Sequence, residues 1–147
     1  MSMYSNFGTE KSLEVEGVWT NYGDFRVKIA HAGGANKPFL TYGEQTMKPF
    51  RRAIDSGSFP RERMEAILFD IYAKHVVKGW EVNRGEPGED DWVPGIEGPD
   101  GDVIPFNYEN VMSTFKALPA LFYDIKEVAE SIAAYRQMDL EDEAKNS

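Results

Sequence analysis

The chain has 147 residues, 41% hydrophobic and 13% aromatic, enough apolar material for one domain with a real core. The absence of cysteine excludes a disulfide framework, a thiolate nucleophile and cysteine-ligated zinc, and fits a reducing cytoplasm. The net charge of -9 is divided as +2 over residues 1–80 (11 basic, 9 acidic) and -11 over residues 81–147 (5 basic, 16 acidic), so no nucleic-acid partner is expected and any basic patch must lie in the first half.

Residues 1–11 are small and polar, without apolar period, and read as a flexible arm lacking the basic-then-hydrophobic pattern of an export signal. Residues 12–137 read as a single globular domain. Leu13, Val15, Val18 and Trp19 are strand formers, with Gly17 placed as a bulge. Asn21-Tyr22-Gly23-Asp24 supplies turn chemistry, and Phe25, Val27 and Ile29 then alternate with Arg26, Lys28 and Ala30. This predicts an N-terminal β-hairpin with one buried face.

After a glycine-bearing linker, Asn36 is placed to cap a helix running towards Ser56, with Pro38 in its first turn. Gly43 and Pro49 interrupt it, so a bend and a pair of shorter helices are both open. The next stripe is the clearest: Ser58 as cap, Pro60 in the first turn, then Met64, Ile67, Leu68, Ile71, Tyr72 and His75 or Val76, with Gly79 as the stop. Phe69 lies beside this stripe.

Residues 84–102 hold seven acidic side chains, one basic one, five glycines and three prolines. A loop this long inside a compact domain is uncommon, and Trp92 and Ile96 give it the means to dock on a surface. Trp80-Glu-Val82 before it and Val103–Phe106 after it are expected to pair as a second small hairpin, with Pro105 at an edge. Asn107 is placed to cap a short helix bearing Val111, Met112 and Phe115. Pro119 opens a last helix whose stripe is Leu121, Phe122, Ile125, Val128, Ala129, Ile132 and Tyr135. Residues 138–147 form an acidic flexible tail. No apolar run approaches the roughly 20 residues of a membrane span, so no membrane partner is expected.

Tests for chemistry return no catalytic, cofactor or metal site. His31 and His75 stand 44 positions apart with no acidic or histidine neighbour at ligand spacing. The acids of 90–102 do not follow the ligand order of a helix-loop-helix calcium site. Ala32-Gly33-Gly34 lacks the remaining glycines and the lysine of a phosphate loop. What remains is contact chemistry. Arg51 and Arg52, near Lys48, Arg61 and Arg63, make the one basic concentration, and Phe69, Tyr72, Trp92, Phe122 and Ile125 are aromatic or aliphatic candidates for partner binding.

Several segments in this order carry a resemblance: WTNYGDFRVKIAHAG (19–33), KPFRR (48–52), YAKHVVKGWE (72–81), IPFNYENV (104–111), LPALF (118–122), AESIA (129–133) and the ending AKNS. Together the chain resembles a tail assembly chaperone of long-tailed bacteriophages. The resemblance implies a protein that is not an enzyme and needs no cofactor. It implies binding to the tape measure protein, which it keeps soluble, and recruitment of tail tube subunits in the host cell cytoplasm, with homo-oligomers along the client. The alternative is a structural virion protein, such as a tail completion or connector subunit. The fold class expected is α+β, mainly helical: the N-terminal β-hairpin, then three to five helices, with the second small hairpin around the acidic loop.

Overall fold

The computed structural model describes residues 3–136; the acidic segment 138–147 lies outside the described residues. Strands β1 (Val18–Asn21) and β2 (Phe25–Ile29) form the expected hairpin, in register from Val18↔Ile29 to Asn21↔Arg26. Its turn closes by local chemistry. The Gly23 N–H donates to Asn21 Oδ1 at 2.7 Å, and Gly23 takes a φ of 97° that a side chain would resist.

Ahead of the hairpin the chain is helical, not extended. Helix α1 (Met3–Phe7) is followed by α2 (Lys11–Glu16), which contains the Leu13 and Val15 expected in a strand. Glu10 caps α2 by accepting from the Ser12 N–H, and Gly17, expected as a bulge, ends it by donating to the Leu13 carbonyl at 2.9 Å. Six residues are too few for a 3.6 period to show against alternation. The Glu10 N–H also donates to the Tyr135 carbonyl at 2.8 Å, and Thr9 forms an antiparallel bridge with Arg136.

Helix α3 (Lys37–Met47), a 3-10 turn at Lys48–Phe50 and α4 (Arg51–Asp55) fill the next stretch, so the interruption at Pro49 gives two shorter helices. Asn36 makes no side-chain cap. Helix α5 (Arg61–His75) begins after Pro60 without a Ser58 cap, and it ends earlier than Gly79. The chain leaves the helix at Val76 because the Val76 carbonyl accepts from the Ala30 N–H at 2.7 Å, and the buried Val76 and Val77 suit extended backbone.

Gly79 therefore lies inside strand β3 (Val77–Asn83), opposite Lys28. Strand β4 (Trp92–Pro94) pairs with β3, giving a four-stranded antiparallel sheet in the order β1-β2-β3-β4. The pairing expected between Trp80–Val82 and Val103–Phe106 does not form, because β2 and β4 already flank β3. Instead β5 (Ile96–Glu97) and β6 (Val103–Ile104) make a separate two-stranded hairpin. Residues 84–102 thus hold strands and tight turns rather than one long loop.

Asn107 caps α6 (Tyr108–Ala117) as expected, its Oδ1 accepting from the Asn110 N–H at 2.8 Å. Helix α7 (Pro119–Glu130) stops short of the predicted end: Ser131 is extended and a 3-10 turn follows at Ile132–Tyr135. The class is mixed α+β, with five α-helices following the β1–β2 hairpin, one four-stranded sheet and one two-stranded sheet among the described residues. Helices α5 and α7 pack on one sheet face, and α6 packs against both of them. Between them and Val27, Ile29, Val77 and Trp80 sits a core whose centre is aromatic: Phe122 lies 4.7 Å from Phe69 and 5.2 Å from both Phe115 and Tyr72, ring centre to ring centre.

Candidate protein-interaction surface

Four of the expected partner-binding positions are placed inside. Phe69, Tyr72, Phe122 and Ile125 are between 0% and 3% exposed, so the molecule's own side chains cover them. The physical reason is that α5 and α7 pack on the same sheet face with α6 against both, and their stripes point at one another. Arg51 and Arg52 are exposed on α4. Beside them the sequence reading missed an aromatic pair: Phe50 and Phe59 lie 5.1 Å apart, and the Arg63 guanidinium stands 4.9 and 5.0 Å from their ring centres.

The buried and half-buried titratable groups Asp70, Glu14 and His31 are tied into the fold by hydrogen bonds. Asp70 on α5 accepts from the hydroxyls of Tyr42 (2.6 Å) and Tyr108, while Lys74 lies 3.4 Å away and donates to the Tyr42 hydroxyl at 2.6 Å. Burial pushes the Asp70 pKa up, but the Tyr108 and Tyr42 hydroxyls and the Lys74 charge outweigh it and hold the group below its usual range. The same bond to Asp70 pushes Tyr108 up to about 12. This cluster fastens α3, α5 and α6 together.

A second tie holds the N-terminal helices. Glu14 is 5% exposed and accepts from the Ala35 N–H at 2.6 Å. Burial raises its pKa, but the Thr9 hydroxyl, the Ala35 N–H and the charges of His31 and Lys11 together leave it lowered. Gly34 permits this approach: a Cβ there would stand 2.5 Å from Glu14 Oε2. His31 is also buried, donating from Nδ1 to the Ala129 carbonyl at 2.6 Å. Among the described residues, no group of three or more His, Asp or Glu side chains is placed to hold a metal.

Among the described residues, two further surfaces carry contact chemistry. On the sheet face away from the core, the Arg26 guanidinium lies 4.3 Å from the Trp19 ring and 4.4 Å from the Trp92 ring, and its Nη2 is 2.5 Å from Glu81 Oε1. Trp92, half-buried, is therefore the one expected aromatic contact residue that stands at the surface. Its cation is already matched by Glu81.

The other surface is a groove. Trp80 is buried under the β5–β6 hairpin, with its Nε1 donating to the Ile104 carbonyl at 3.1 Å and Phe106 standing edge-on at 5.6 Å. Between this hairpin and the corner joining α6 to α7 lie two adjoining depressions of about 330 and 360 Å³, both lined by Ile96, Glu97, Gly98 and Leu118. Ile104 and Ala117 extend the floor on one side, Phe25 and Leu121 on the other. Leu118 is 55% exposed, and Val103 and Phe106 are also exposed. The sequence signal for this site was Ile96, an aliphatic side chain stranded among acids and glycines; Leu118 gave none, since it sits between two helices without a stripe.

A family model described as YdaY prophage protein matches residues 34–146. The chain belongs to the YdaY prophage protein family. Comparison with curated proteins and with solved structures gave no match. Membership in the YdaY family establishes phage origin, a coarser result than the tail assembly chaperones that the sequence resembles. The matched YdaY span takes in α3 to α7 and most of the groove, but not Trp19, Arg26 or Phe25.

Proposed function

We propose that this prophage protein is a stoichiometric assembly factor of the tail chaperone type. It binds the tape measure protein through its own surface, keeps that client soluble in the host cell cytoplasm and helps recruit tail tube subunits, acting as an oligomer along the client and catalysing no reaction. The observation that carries this reading is the apolar groove floored by Ile96, Ile104, Ala117, Leu118 and Leu121, with Leu118 more than half exposed in it. Exposed apolar side chains gathered at one concave place mark a protein contact more readily than scattered ones do. The phage family and the polar ties of Asp70, Glu14 and His31 support the same choice of binding over catalysis.

The test is co-expression with the tape measure protein of the same prophage. Soluble yield of that protein should rise and the two should co-purify, while purified virions should lack this chain by mass spectrometry. Unchanged solubility without co-purification defeats the proposal, and presence in finished particles moves the protein to the virion.

A further inference from the structure

The groove has a sign. Its floor is apolar, built from Ile96, Ile104, Ala117, Leu118 and Leu121, while its borders carry carboxylates. Asp24 and Glu97 line it directly, and Asp100 and Asp102 are exposed in the turn that joins β5 to β6. Two bases are near in the chain: Arg84, whose guanidinium lies 3.8 Å from Glu97, and Lys116, exposed on α6. Within the described residues 81–136, which supply most of the groove, 12 acidic side chains stand against 4 basic ones. A ligand lowered onto this floor must bring apolar groups downward and meets negative potential on its flanks.

The shape selects a helix over a strand. An added strand needs a run of free backbone N–H and C=O groups along an edge, yet β5 and β6 are only two residues each. A helix makes no such demand, since its backbone groups are satisfied internally and its contact is a stripe of side chains at three- and four-residue steps.

We propose that the groove between the β5–β6 hairpin and the α6–α7 corner binds an amphipathic helix of a partner protein whose apolar stripe is flanked by Lys and Arg. This rests on the groove being the client site named above. Its charge rule is the new element: a helix with the same stripe and Glu flanks is rejected.

The probes are two synthetic helical peptides with one leucine stripe, one flanked by Lys and the other by Glu, titrated into the full chain by fluorescence anisotropy. The Lys peptide should bind about tenfold more tightly or better, with the gap narrowing at high salt. Leu118→Asp, at an exposed position, should weaken the Lys peptide about tenfold while circular dichroism and the urea midpoint stay unchanged. Glu97→Lys with Asp102→Lys should invert the preference. Equal affinity for both peptides, no binding of either, or indifference to Leu118→Asp overturns the proposal. So does a dimer in sedimentation that Leu118→Asp dissolves, which would give the groove to a second copy.

The two proposals fail separately. A Leu118→Asp, Glu97→Lys chain that still solubilises its tape measure protein removes the groove and leaves the chaperone reading. A chain that binds the Lys peptide but never rescues the tape measure protein does the reverse.

Discussion

The side-chain amide of Asn36 donates to the His75 carbonyl at 2.9 Å, joining the start of α3 to the end of α5 across 39 positions. The same nitrogen donates to the His31 carbonyl at 2.8 Å, and Asn36 itself is 1% exposed. Asn36 was expected to cap a helix; it is instead the clasp that lets the backbone leave helix geometry before β3. Removing it leaves two carbonyls without their donor. Asn36→Ala should cost about 1–3 kcal/mol of stability, the range for a buried polar group stripped of its partner. A urea titration followed by circular dichroism checks this, and a midpoint equal to that of the parent would refute the clasp.

Phe122 is the residue on which a core role and a partner role diverge most sharply. It is 0% exposed and meets Phe69, Tyr72 and Phe115. Phe122→Ala should therefore destabilise the fold by about 3–5 kcal/mol through lost burial and the cavity left behind. Against a total stability of about 5–15 kcal/mol this is a large share, so soluble yield should fall before any binding assay can be run. Arg51→Ala with Arg52→Ala, at exposed positions, should move stability by no more than about 0.5 kcal/mol. If Phe122→Ala keeps the parent's thermal midpoint, the core assignment is wrong.

The elements legible from the chain alone are those decided locally. The β1–β2 hairpin announces itself through alternation and an Asn-Tyr-Gly-Asp turn, and α6 through the Asn107 cap. What was misread is decided by distant partners. Glu14 bonded to Ala35 makes α2 a helix at a place where Leu13 and Val15 alternate like a strand. Ala30 bonded to Val76 ends α5, and Trp80 bonded to Ile104 sets the β5–β6 hairpin on β3. The candidate site suffered from a different ambiguity. Periodicity marks which face of a helix is apolar but not what covers it, so Phe69, Tyr72, Phe122 and Ile125 looked the same as client contacts would. The exposed Leu118, which no stripe includes, went unseen.

Acid should loosen the fold in two stages. Burial, together with the charges of Lys78 and Lys74, lowers the His75 pKa below 6.5, partly offset by Asp70. A histidine kept neutral by folding binds fewer protons folded than unfolded, so its contribution is whole above about pH 6.5 and declines as pH falls. Asp70 and Glu14 are also lowered in the folded chain, from 3.8 and 4.5. Their contribution is whole at neutral pH and is lost once the medium drops below about pH 4. Urea midpoints measured from neutral to strongly acidic pH should show both steps. His75→Gln should remove the upper step and Asp70→Asn should shrink the lower one; a stability that rises on acidification contradicts all three assignments.

The hairpin over Trp80 hangs on a glycine. Gly95 has a φ of 115°, and a Cβ there would collide with the Val103 side chain while standing 3.2 Å from the Ile104 carbonyl oxygen. Its N–H also donates to the Trp80 carbonyl at 3.1 Å, so the position ties β5 to β3 while giving way to β6. Gly95→Ala must both strain the backbone and push β6 outward. Gly23 offers the control, because it has a similar φ of 97° with no atom within 4 Å of a Cβ. Gly23→Ala should cost about 1 kcal/mol for conformation alone. Gly95→Ala should cost about 2–4 kcal/mol, since displacement of Ile104 also removes the partner of the Trp80 N–H. Tryptophan emission should shift to the red in the second variant only, as water reaches Trp80, and binding of the Lys-flanked peptide should weaken with it. Equal costs for the two glycines would show that β6 does not press on Gly95 and that the hairpin is free to move.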